Sequence, residues 1–396
     1  MKILMINVVC GIKSTGRICT DIAQSLEAKG HEVKIVYGRE EVPEHLSHFA
    51  HRMESKWDIY AHGALALTLD GVGLGSKQAT RRLISWIREF NPDIIHLHNL
   101  HGYYIHVPTL FAYLKSANKK VIWTLHDMWP FTGHSPACDQ ADCEKWRAGC
   151  GSCPMTRDYP KSLTDFSRRN WQWKKEAFLG LSDLTLVSPS KWLANLTEQS
   201  FLGSCPVKVI PNGIDTSAFH PMTTDFKARH GLDGKKLILG VAGNWHDTRK
   251  GFPDFMELAK RLTGEYHIVM VGIPEDLKQV LPGNVLGIGK THSVRELAEI
   301  YSAADVLLNP TYSDNYPTVN LEALCCGTPV LTYRTGGSPE PIREGWGAVA
   351  EQGDLEQILK RLPQVCAMKP DPAAAQALFS KERAMEAYSK LYFGET

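Results

Sequence analysis

The sequence of 396 residues lacks several features that mark other classes of protein. No apolar run approaches the ~20 residues that a membrane-spanning helix needs. The start, Met1–Val9, is basic and then apolar, but no small-residue cleavage site follows it, so it predicts a buried first strand rather than a signal peptide. We therefore expect a cytoplasmic protein, with association at the inner face of a membrane left open.

An excess of charge of one sign is also lacking. Lysine and arginine number 44 and aspartate and glutamate 43, which gives no electrostatic reason to expect nucleic acid as a partner. No Asp-x-Asp triplet, no repeat of solenoid period and no low-complexity tract occurs in the chain. What remains is a globular composition, 43% hydrophobic, whose length favours two domains.

Short apolar runs alternate with amphipathic segments along the chain. Runs rich in Val, Ile and Leu predict strands that are buried on both faces, and their alternation with helices predicts parallel, doubly wound sheets. These runs are 3–9, 33–37, 94–98, 121–125, 184–187 and 207–210, and then 237–242, 267–271, 285–288, 306–309 and 330–333.

A Pro-Asn-Gly turn at 211–213 separates the two series of runs. The sequence therefore predicts an α/β protein of two doubly wound, Rossmann-like domains. We expect the first to span 1–208, with a cysteine-rich loop at 134–154, and the second to span 209–372. The tail, 373–396, predicts one closing helix. Ligands of such sheets bind beyond the carboxyl ends of the strands, so chemistry is expected in the loops that follow strands.

The polar loop after the run 306–309 carries two carboxylates. Asp314 lies in the loop, and Glu322 lies eight residues later in a segment predicted to be helical from about Thr318. Carboxylates accept hydrogen bonds from sugar and ribose hydroxyls, and the N–H groups of a loop and helix N-terminus can bind a diphosphate. Taken alone, the pattern fits a helix cap and a solvated helix face equally well.

This stretch resembles the Glu-x7-Glu signature of retaining glycosyltransferases of family 4, with Asp314 in place of the first glutamate, Glu322 as the second, and Gly-Thr-Pro-Val at 327–330. The resemblance covers nearly the whole chain and implies the GT-B fold, two Rossmann-like domains with a cleft between them. The Asp-Asn-Tyr-Pro form of the loop is similar to colanic-acid and other exopolysaccharide transferases. The resemblance implies that Glu322 holds a nucleotide ribose and that Asp314, with Asn315 and Tyr316, lies near the donor sugar.

A second loop follows the first strand of the second domain. The family has an arginine and a lysine here that neutralise the donor diphosphate, and the resemblance assigns this role to Lys250 and Arg249. The family's usual earlier arginine is replaced by Asn244-Trp245. Preorganised cations stabilise the negative charge that builds on a departing diphosphate. Outside this context, two adjacent basic residues would indicate only a soluble surface.

In the first domain, the predicted strand 121–125 leads into His126-Asp127, which resembles the family's His-Asp site and implies that His126 lies beside the donor sugar. Alone, a histidine at a strand end is more typical of a structural hydrogen bond. His98 and Asn99 end another strand, and with Asp127 they are predicted to face the acceptor. The alternation of side chains puts His96 and His98 on one sheet face, which also fits a structural role.

The loop after the first strand, 11–17, resembles the family's Gly-rich first loop, although it lacks the spacing of a Walker or dinucleotide motif. The resemblance implies that Gly16 permits a close backbone approach and that Arg17 reaches a phosphate of the donor. GT-B enzymes do not need the metal-holding Asp-x-Asp motif, so no catalytic metal is expected.

Four of the ten cysteines are clustered, with the spacing Cys-x4-Cys-x6-Cys-x2-Cys. They are Cys138, Cys143, Cys150 and Cys153. Four thiolates within sixteen residues can surround Zn²⁺ tetrahedrally, which predicts a structural zinc site that stiffens the loop. Free thiols, two disulfides or an iron–sulfur cluster are the alternatives, of which a reducing compartment disfavours the disulfides. Only three basic residues lie in or near the loop, which disfavours nucleic acid; they are Lys145, Arg147 and Arg157.

The sequence thus predicts a retaining hexosyltransferase that moves a sugar from a GDP- or UDP-sugar to a glycan acceptor in exopolysaccharide or cell-surface polysaccharide biosynthesis. The subgroup resemblance implies that the acceptor is linked to a lipid diphosphate. Two alternatives stay open. A non-hydrolysing sugar-nucleotide epimerase shares the architecture and needs no acceptor. A non-catalytic sugar-nucleotide sensor would use the cysteine loop as a zinc-ribbon interaction module.

Overall fold

The structure is a computed structural model that describes residues 1–53 and 56–394, without the side chain of residue 56. The described residues form two compact units. The first consists of residues 1–210 together with the chain from Met385 onward, and the second of residues 211–384.

The first unit is built on a parallel sheet of seven strands in the order β3-β2-β1-β4-β5-β6-β7. Its strands are β1 Lys2–Ile6, β2 Glu32–Tyr37, β3 Ala50–Arg52, β4 Ile94–Leu97, β5 Lys120–Thr124, β6 Leu184–Ser188 and β7 Val207–Val209. The order reverses between β1 and β4, so the carboxyl ends of these two strands form the switch point of the sheet.

Both faces of this sheet are covered. Leu4 and Ile6 of β1 pack into one hydrophobic core, whereas Ile3 and Met5 pack into another on the opposite face. All four side chains are fully buried, as the continuous apolar run predicts for a strand between two layers of helices. The helices are α1 Lys13–Ala28, α2 Lys56–Leu69, α3 Lys77–Phe90, α4 Val107–Ala117, α5 Ser167–Phe178 and α6 Lys191–Glu198.

The second unit holds a parallel sheet of six strands in the order β10-β9-β8-β11-β12-β13, with its switch point between β8 and β11. The strands are β8 Lys236–Val241, β9 Tyr266–Val271, β10 Val285–Ile288, β11 Val306–Asn309, β12 Val330–Tyr333 and β13 Gly347–Ala350. The helices are α7 Phe226–Arg229, α8 Phe252–Arg261, α9 Glu275–Lys278, α10 Val294–Ala303, α11 Thr318–Cys325, α12 Leu355–Cys366 and α13 Pro372–Phe379.

The tail contains two helices where the sequence predicted one. Helix α13 ends at Phe379, and α14 spans Lys381–Phe393. Ser380 between them is extended, because it forms a parallel bridge with Ile214 and the backbone of Ile214 bonds to Phe379 and Lys381. The Ala- and Lys-rich composition favours helix throughout, and this tertiary pairing overrides it at a single residue.

Two short strands, β3 and β13, were not predicted from the sequence. Strand β3 has the sequence Ala-His-Arg and β13 the sequence Gly-Ala-Val-Ala. Both lie at the edge of a sheet, where one neighbour suffices and a strong apolar run is not required. Among the residues that the structure describes, no helix is long and apolar enough to cross a membrane.

Candidate functional site

The loops after β8 and β11 lie side by side at the switch point of the second sheet. The loop after β8 contains a short 3-10 helix, Thr248–Lys250, and leads into α8. The loop after β11 leads into α11, which begins at the predicted Thr318. The backbone N–H of Tyr312 and the hydroxyl of Thr311 both donate to the carbonyl of Arg249, at 2.8 and 3.1 Å. These bonds fix the two loops against each other.

The ammonium group of Lys250 contacts the carboxylate of Asp314, with 2.7 Å between Nζ and Oδ2. Both side chains are partly exposed, at 30% and 23%, so the pair can meet a ligand at the surface of this unit. The structure thus brings together two residues that the sequence assigned to different donor groups. Each charge fixes the position of the other across the two loops.

Arg249 has a different partner. Its guanidinium group forms a forked contact with Asp247, at 2.9 Å from Nε to Oδ1 and 2.7 Å from Nη2 to Oδ2. The same carboxylate accepts the backbone N–H of Arg249 at 3.1 Å. These bonds from Arg249 hold the pKa of Asp247 below its usual value, against the opposing effect of burial. The two predicted diphosphate cations therefore have different carboxylate partners, since Lys250 contacts Asp314 in the β11 loop and the guanidinium group of Arg249 contacts Asp247 in its own loop.

Glu322 lies on the second turn of α11. Its Oε2 accepts a hydrogen bond of 2.8 Å from the hydroxyl of Tyr301, whose side chain is fully buried at the end of α10. Burial first, and then the charge of Glu322, raises the pKa of Tyr301 well above its usual value, so this phenol stays a donor. Glu322 itself is partly exposed, and the hydrogen bond from Tyr301 orients its carboxylate.

Buried amide and hydroxyl groups fix the base of the β11 loop. Asn309 donates to the side chain of Asn320 at 2.9 Å, and Asn320 donates in turn to the carbonyl of Ser338 at 3.0 Å. The carbonyl of Asp314 accepts the N–H of Gly337 at 3.1 Å, which ties the loop to the segment after β12. Such a network, with its buried members bonded to one another, restricts the loop to one arrangement.

The two remaining residues predicted for this loop differ in exposure. Asn315 is partly exposed. Tyr316 belongs to the hydrophobic core of the second unit, where burial raises the pKa of its phenol. Its ring supports the loop from within.

In the first unit, Asn7 joins the carboxyl ends of β1 and β4. Its side chain is fully buried, donates to the carbonyl of Val9 at 2.8 Å and accepts the N–H of Asn99 at 3.2 Å. The following loop is short, because α1 already begins at Lys13. Gly16 and Arg17 therefore lie in the first turns of α1, with Gly16 buried and Arg17 exposed, rather than in an extended loop.

His126 follows β5 and is paired with His98, which follows β4. Nε2 of His126 lies 3.0 Å from Nδ1 of His98. Burial lowers the pKa of His126 to about 4 and lowers that of His98 well below its usual value, so both rings are neutral at neutral pH. A neutral imidazole forms hydrogen bonds with sugar hydroxyls without carrying charge.

The carboxylate of Asp127 forms its hydrogen bonds with a second set of groups next to His126. Its Oδ1 accepts the N–H of Trp129 at 2.9 Å, and its Oδ2 lies 2.8 Å from Nε2 of His101. Nδ1 of His101 lies 3.1 Å from the hydroxyl of Tyr159. The structure therefore groups Asp127 with His101 and Tyr159, whereas His98 is grouped with His126.

All ten cysteines are free thiols in the structure. Burial, and then the charges of the other three clustered thiols, raises the pKa of Cys138, which identifies the four as neighbours. The N–H of Gly133 donates to Sγ of Cys150 at 3.2 Å. In the described part of the chain, however, no three His, Cys, Asp or Glu side chains are placed to hold a metal ion. The thiols are thus near one another without forming a metal cage.

A buried lysine lies next to this loop. The ammonium group of Lys174 donates to the carbonyls of Trp129 and Thr132, at 2.7 and 2.9 Å, and lies 3.6 Å from the centre of the Trp129 ring. Burial lowers the pKa of Lys174 to about 7. These contacts of Lys174 fix the position of the segment between His126 and Cys138, the first clustered cysteine.

Sequence reasoning did not identify several of these partners. They are Asn7, Asp247, Tyr301, Tyr159 and Lys174. Asn7, a lone polar residue inside an apolar run, and Asp247, two residues before an arginine, left a signal in the sequence. Tyr301 and Lys174 left no such signal, because they occupy ordinary helix positions and the sequence does not show which side chains pack against them.

Comparison with known proteins identifies two matching families. The family model described as Glycosyltransferase Family 4 matches residues 15–218, and the one described as Glycosyl transferases group 1 matches residues 236–367. The first match covers most of the first unit and extends to residue 218 in the second, and the second match lies within the second unit.

Individual relatives agree with these families. The chain is 27% identical over 315 residues to the colanic acid biosynthesis glycosyl transferase WcaC of Escherichia coli, a match that covers 76% of this chain and 74% of WcaC. It is 26% identical over 178 residues to the D-inositol 3-phosphate glycosyltransferase of Mycolicibacterium gilvum, which covers 41% and 40% of the two chains.

Solved structures resemble the whole chain. Sucrose-phosphate synthase of Thermosynechococcus elongatus matches with a TM-score of 0.72 at 17% identity, covering 99% of this chain and 98% of the other. Anabaena HepE, determined in complex with UDP, matches with a TM-score of 0.66 at 14% identity and 99% coverage of both chains. At such identities the likeness shows the fold alone, and it confirms the predicted GT-B fold with two Rossmann-like domains.

Proposed function

Because this chain belongs to glycosyltransferase family 4, we propose that it transfers a hexose from a GDP- or UDP-linked sugar to a glycan acceptor with retention of the anomeric configuration. The observation that best supports a nucleotide-sugar donor is the contact between Lys250 and Asp314. It places a cation, oriented by a carboxylate, at the switch point of the second sheet, where ligands of doubly wound folds bind.

Lys250 would bind the diphosphate of the donor. Negative charge grows on this group as the sugar leaves, and a cation that is already in position stabilises it with little reorganisation. Asp314 orients Lys250 and leaves its second carboxylate oxygen for a sugar hydroxyl. Glu322, oriented by Tyr301, would accept hydrogen bonds from the ribose.

Transfer would break the bond between the anomeric carbon and the diphosphate oxygen and form a bond from that carbon to the acceptor hydroxyl oxygen on the same face. The acceptor proton would pass to the oxygen of the departing diphosphate, so that atoms and charge balance without a further base. His126 would contact the sugar as a neutral hydrogen-bonding group, consistent with its lowered pKa.

The similarity to WcaC, named for colanic acid biosynthesis, supports a role in exopolysaccharide or cell-surface polysaccharide synthesis. We extend this to an acceptor linked to a lipid diphosphate and used at the inner face of a membrane. Sugar transfer to a lipid-linked glycan presented in vesicles, but not to the same glycan without its lipid, would support this extension; equal transfer to both would reject it.

The donor proposal is tested by thermal unfolding in the presence of GDP-, UDP- and ADP-sugars, followed by nucleotide release assays with the sugar that stabilises the protein. Glu322→Ala should remove most of the stabilisation and of the release. Glu257→Ala, at an exposed position of the same unit, is the matched control and should leave both unchanged. Full stabilisation and release in Glu322→Ala would contradict the assigned site.

The same assays separate the two alternatives. An epimerase would convert the donor sugar into its isomer without any added acceptor. A sensor would be stabilised by a nucleotide sugar but would release no nucleotide, with or without an acceptor. Acceptor-dependent release, with the sugar recovered on the acceptor, is the outcome expected of a transferase.

We also propose that zinc binds the four clustered cysteines. Their spacing supports it, and so does the N–H group that Gly133 directs at Sγ of Cys150, because such bonds stabilise a thiolate. The sulfurs would have to close around the ion, since the described residues hold no preformed cage. Zinc would tie the loop together, with no part in the transfer step.

Metal analysis of protein purified under reducing conditions tests this proposal. About one zinc per chain is expected, and Cys150→Ser should lose it together with part of the thermal stability. Cys205→Ser, outside the cluster, is the control. Much less than one zinc per chain in the unaltered protein would reject zinc and leave the cluster as free thiols.

A further inference from the structure

Side chains at the ends of β4 and β5 form a ladder on one face of the first sheet. Nε2 of His96 lies 2.8 Å from Oγ1 of Thr124, and one step further His98 meets His126 at 3.0 Å. The two steps repeat because side chains at alternate positions of parallel strands share a face. The rings of His96 and His98 are also in contact, with 4.1 Å between their centres.

The last helix, α14, holds the inner end of the ladder, which is formed by His96 and Thr124. The hydroxyl of Tyr392 lies 2.5 Å from Nδ1 of His96, and the hydroxyl of Tyr388 lies 3.1 Å from Oγ1 of Thr124. These four side chains are at most 3% exposed, so the bonds are shielded from water. Both nitrogens of His96 are therefore bonded, and only the outer end of the ladder, at His126, approaches the surface.

The protonation state of the inner histidines follows from burial. Burial lowers the pKa of His96 to about 3 and that of His98 well below its usual value. Each ring is therefore neutral, with one protonated nitrogen that donates and one bare nitrogen that accepts.

The tautomer of His98 can be assigned from its surroundings. Its Nε2 is buried and has no hydrogen-bond partner among the described residues, whereas its Nδ1 faces Nε2 of His126. A buried donor without a partner is less tolerated than a buried acceptor without one. The proton of His98 therefore resides on Nδ1, which donates to Nε2 of His126, and the neutral ring of His126 keeps its proton on Nδ1.

We propose that His98 is a positioning residue that holds His126 in its neutral, Nδ1-protonated tautomer. In this state His126 can donate a hydrogen bond from Nδ1, and it cannot take up a proton at Nε2 unless His98 reverses its own tautomer. His126 thus serves as a fixed donor rather than as a base. The link to sugar transfer rests on the proposed function, in which His126 contacts the sugar; the tautomer itself does not.

Nitrogen-15 NMR of the imidazole rings tests the tautomer directly, with His126 and His98 assigned by single substitutions. Long-range nitrogen–proton correlations should show Nδ1 protonated in both residues of the unaltered protein. Nε2-protonated His126 would overturn the proposal. In His98→Leu the Nε2-protonated form of His126 should become populated. His98→Asn, whose amide can donate from nearly the place of Nδ1, should restore the original form.

Kinetics with the donor then test the consequence. His98→Leu should lower kcat about tenfold while the KM for the donor changes less than twofold, and His98→Asn should recover most of the loss. A kcat in His98→Leu equal to that of the unaltered protein would overturn the positioning role. Unchanged activity in His126→Ala would instead reject the proposed contact of His126 with the sugar and leave the NMR result standing.

Discussion

Lys250 differs from its neighbour Arg249 in where its counter-ion comes from. Asp314, the partner of Lys250, lies 64 residues away in another loop, whereas Asp247 lies two residues from Arg249. The first contact holds two loops together, and the second stabilises only one turn. An ammonium group whose counter-ion lies in the other loop is the better candidate for a binding group at the switch point.

We predict that Lys250→Ala lowers the kcat of donor cleavage by about 10²- to 10³-fold, because charge on the departing diphosphate loses its fixed cation. Initial rates of nucleotide release at saturating donor measure this effect. Lys250→Arg keeps the charge but changes its geometry, so we expect an intermediate rate. Lys260→Ala, an exposed lysine of the same unit, should behave like the unaltered protein.

The motif in the sequence identified Lys250, Asp314 and Glu322 as candidates because loop positions after strands can be read locally. It did not reveal that Lys250 and Asp314 are partners. Ion pairing between two loops depends on strand order, and the sequence alone does not show that β8 and β11 are neighbours.

At the scale of the elements, the loop after β8 requires a residue in the left-handed backbone conformation. Gly251 has φ of 71°, and a Cβ atom there would collide with the carbonyl oxygen of Pro310. Only glycine permits the turn from the 3-10 helix into α8 at this distance from the β11 loop.

We predict that Gly251→Ala destabilises the protein by about 1–3 kcal/mol and lowers donor affinity, because the added methyl group displaces the loop that carries Lys250. Urea unfolding and donor titration measure the two effects. Gly264→Ala, at an exposed glycine with open space around it, is the control. Equal stability of both variants would show that the loop adapts to the extra atom.

Helix α14 contributes two hydroxyl groups to the interior of the first unit. We predict that Tyr392→Phe destabilises the protein by about 1–3 kcal/mol, since Nδ1 of His96 would be left buried without a partner. Thermal and urea unfolding measure the loss. Tyr60→Phe, in a side chain that is 70% exposed, should change neither. A loss confined to Tyr392→Phe would assign the effect to the buried hydrogen bond.

At the scale of the whole molecule, histidines that are neutral and buried make stability depend on pH. Burial lowers the pKa of His62 to about 4 and that of His96 to about 3, from 6.5. At a pH between each lowered pKa and 6.5, the histidine takes up a proton in the unfolded chain but not in the folded chain. The free energy of unfolding must therefore fall as the pH falls below about 6.5.

We predict a loss of up to about 1.4 kcal/mol per pH unit for each such histidine between pH 6 and 4.5, added to the effects of other groups. Urea unfolding at a series of pH values checks the slope. His62→Gln should lower stability at pH 7.5 but make the slope shallower. The exposed His48→Gln serves as control. An identical slope in His62→Gln would refute the assignment.

Much of the architecture was predictable, because strands buried on both faces must be apolar throughout and therefore stand out in the sequence. The edge strands β3 and β13 did not stand out, since one exposed side relaxes this demand. The tail was predicted as one helix, and the break at Ser380 arises from a pairing with Ile214, 166 residues earlier. Local composition cannot report such a contact.

The sequence by itself determined the two-sheet architecture, the places where loops follow strands, and the family that the motifs in those loops indicate. Each of these can be read from residues that are close together along the chain. Only the tertiary structure decided which groups are partners: Lys250 with Asp314, Glu322 with Tyr301, and His126 with His98. Burial decided the charge of the histidines as well. Hydrogen bonds, ion pairs and desolvation act through space over a few ångströms, and the order of the strands brings those residues together.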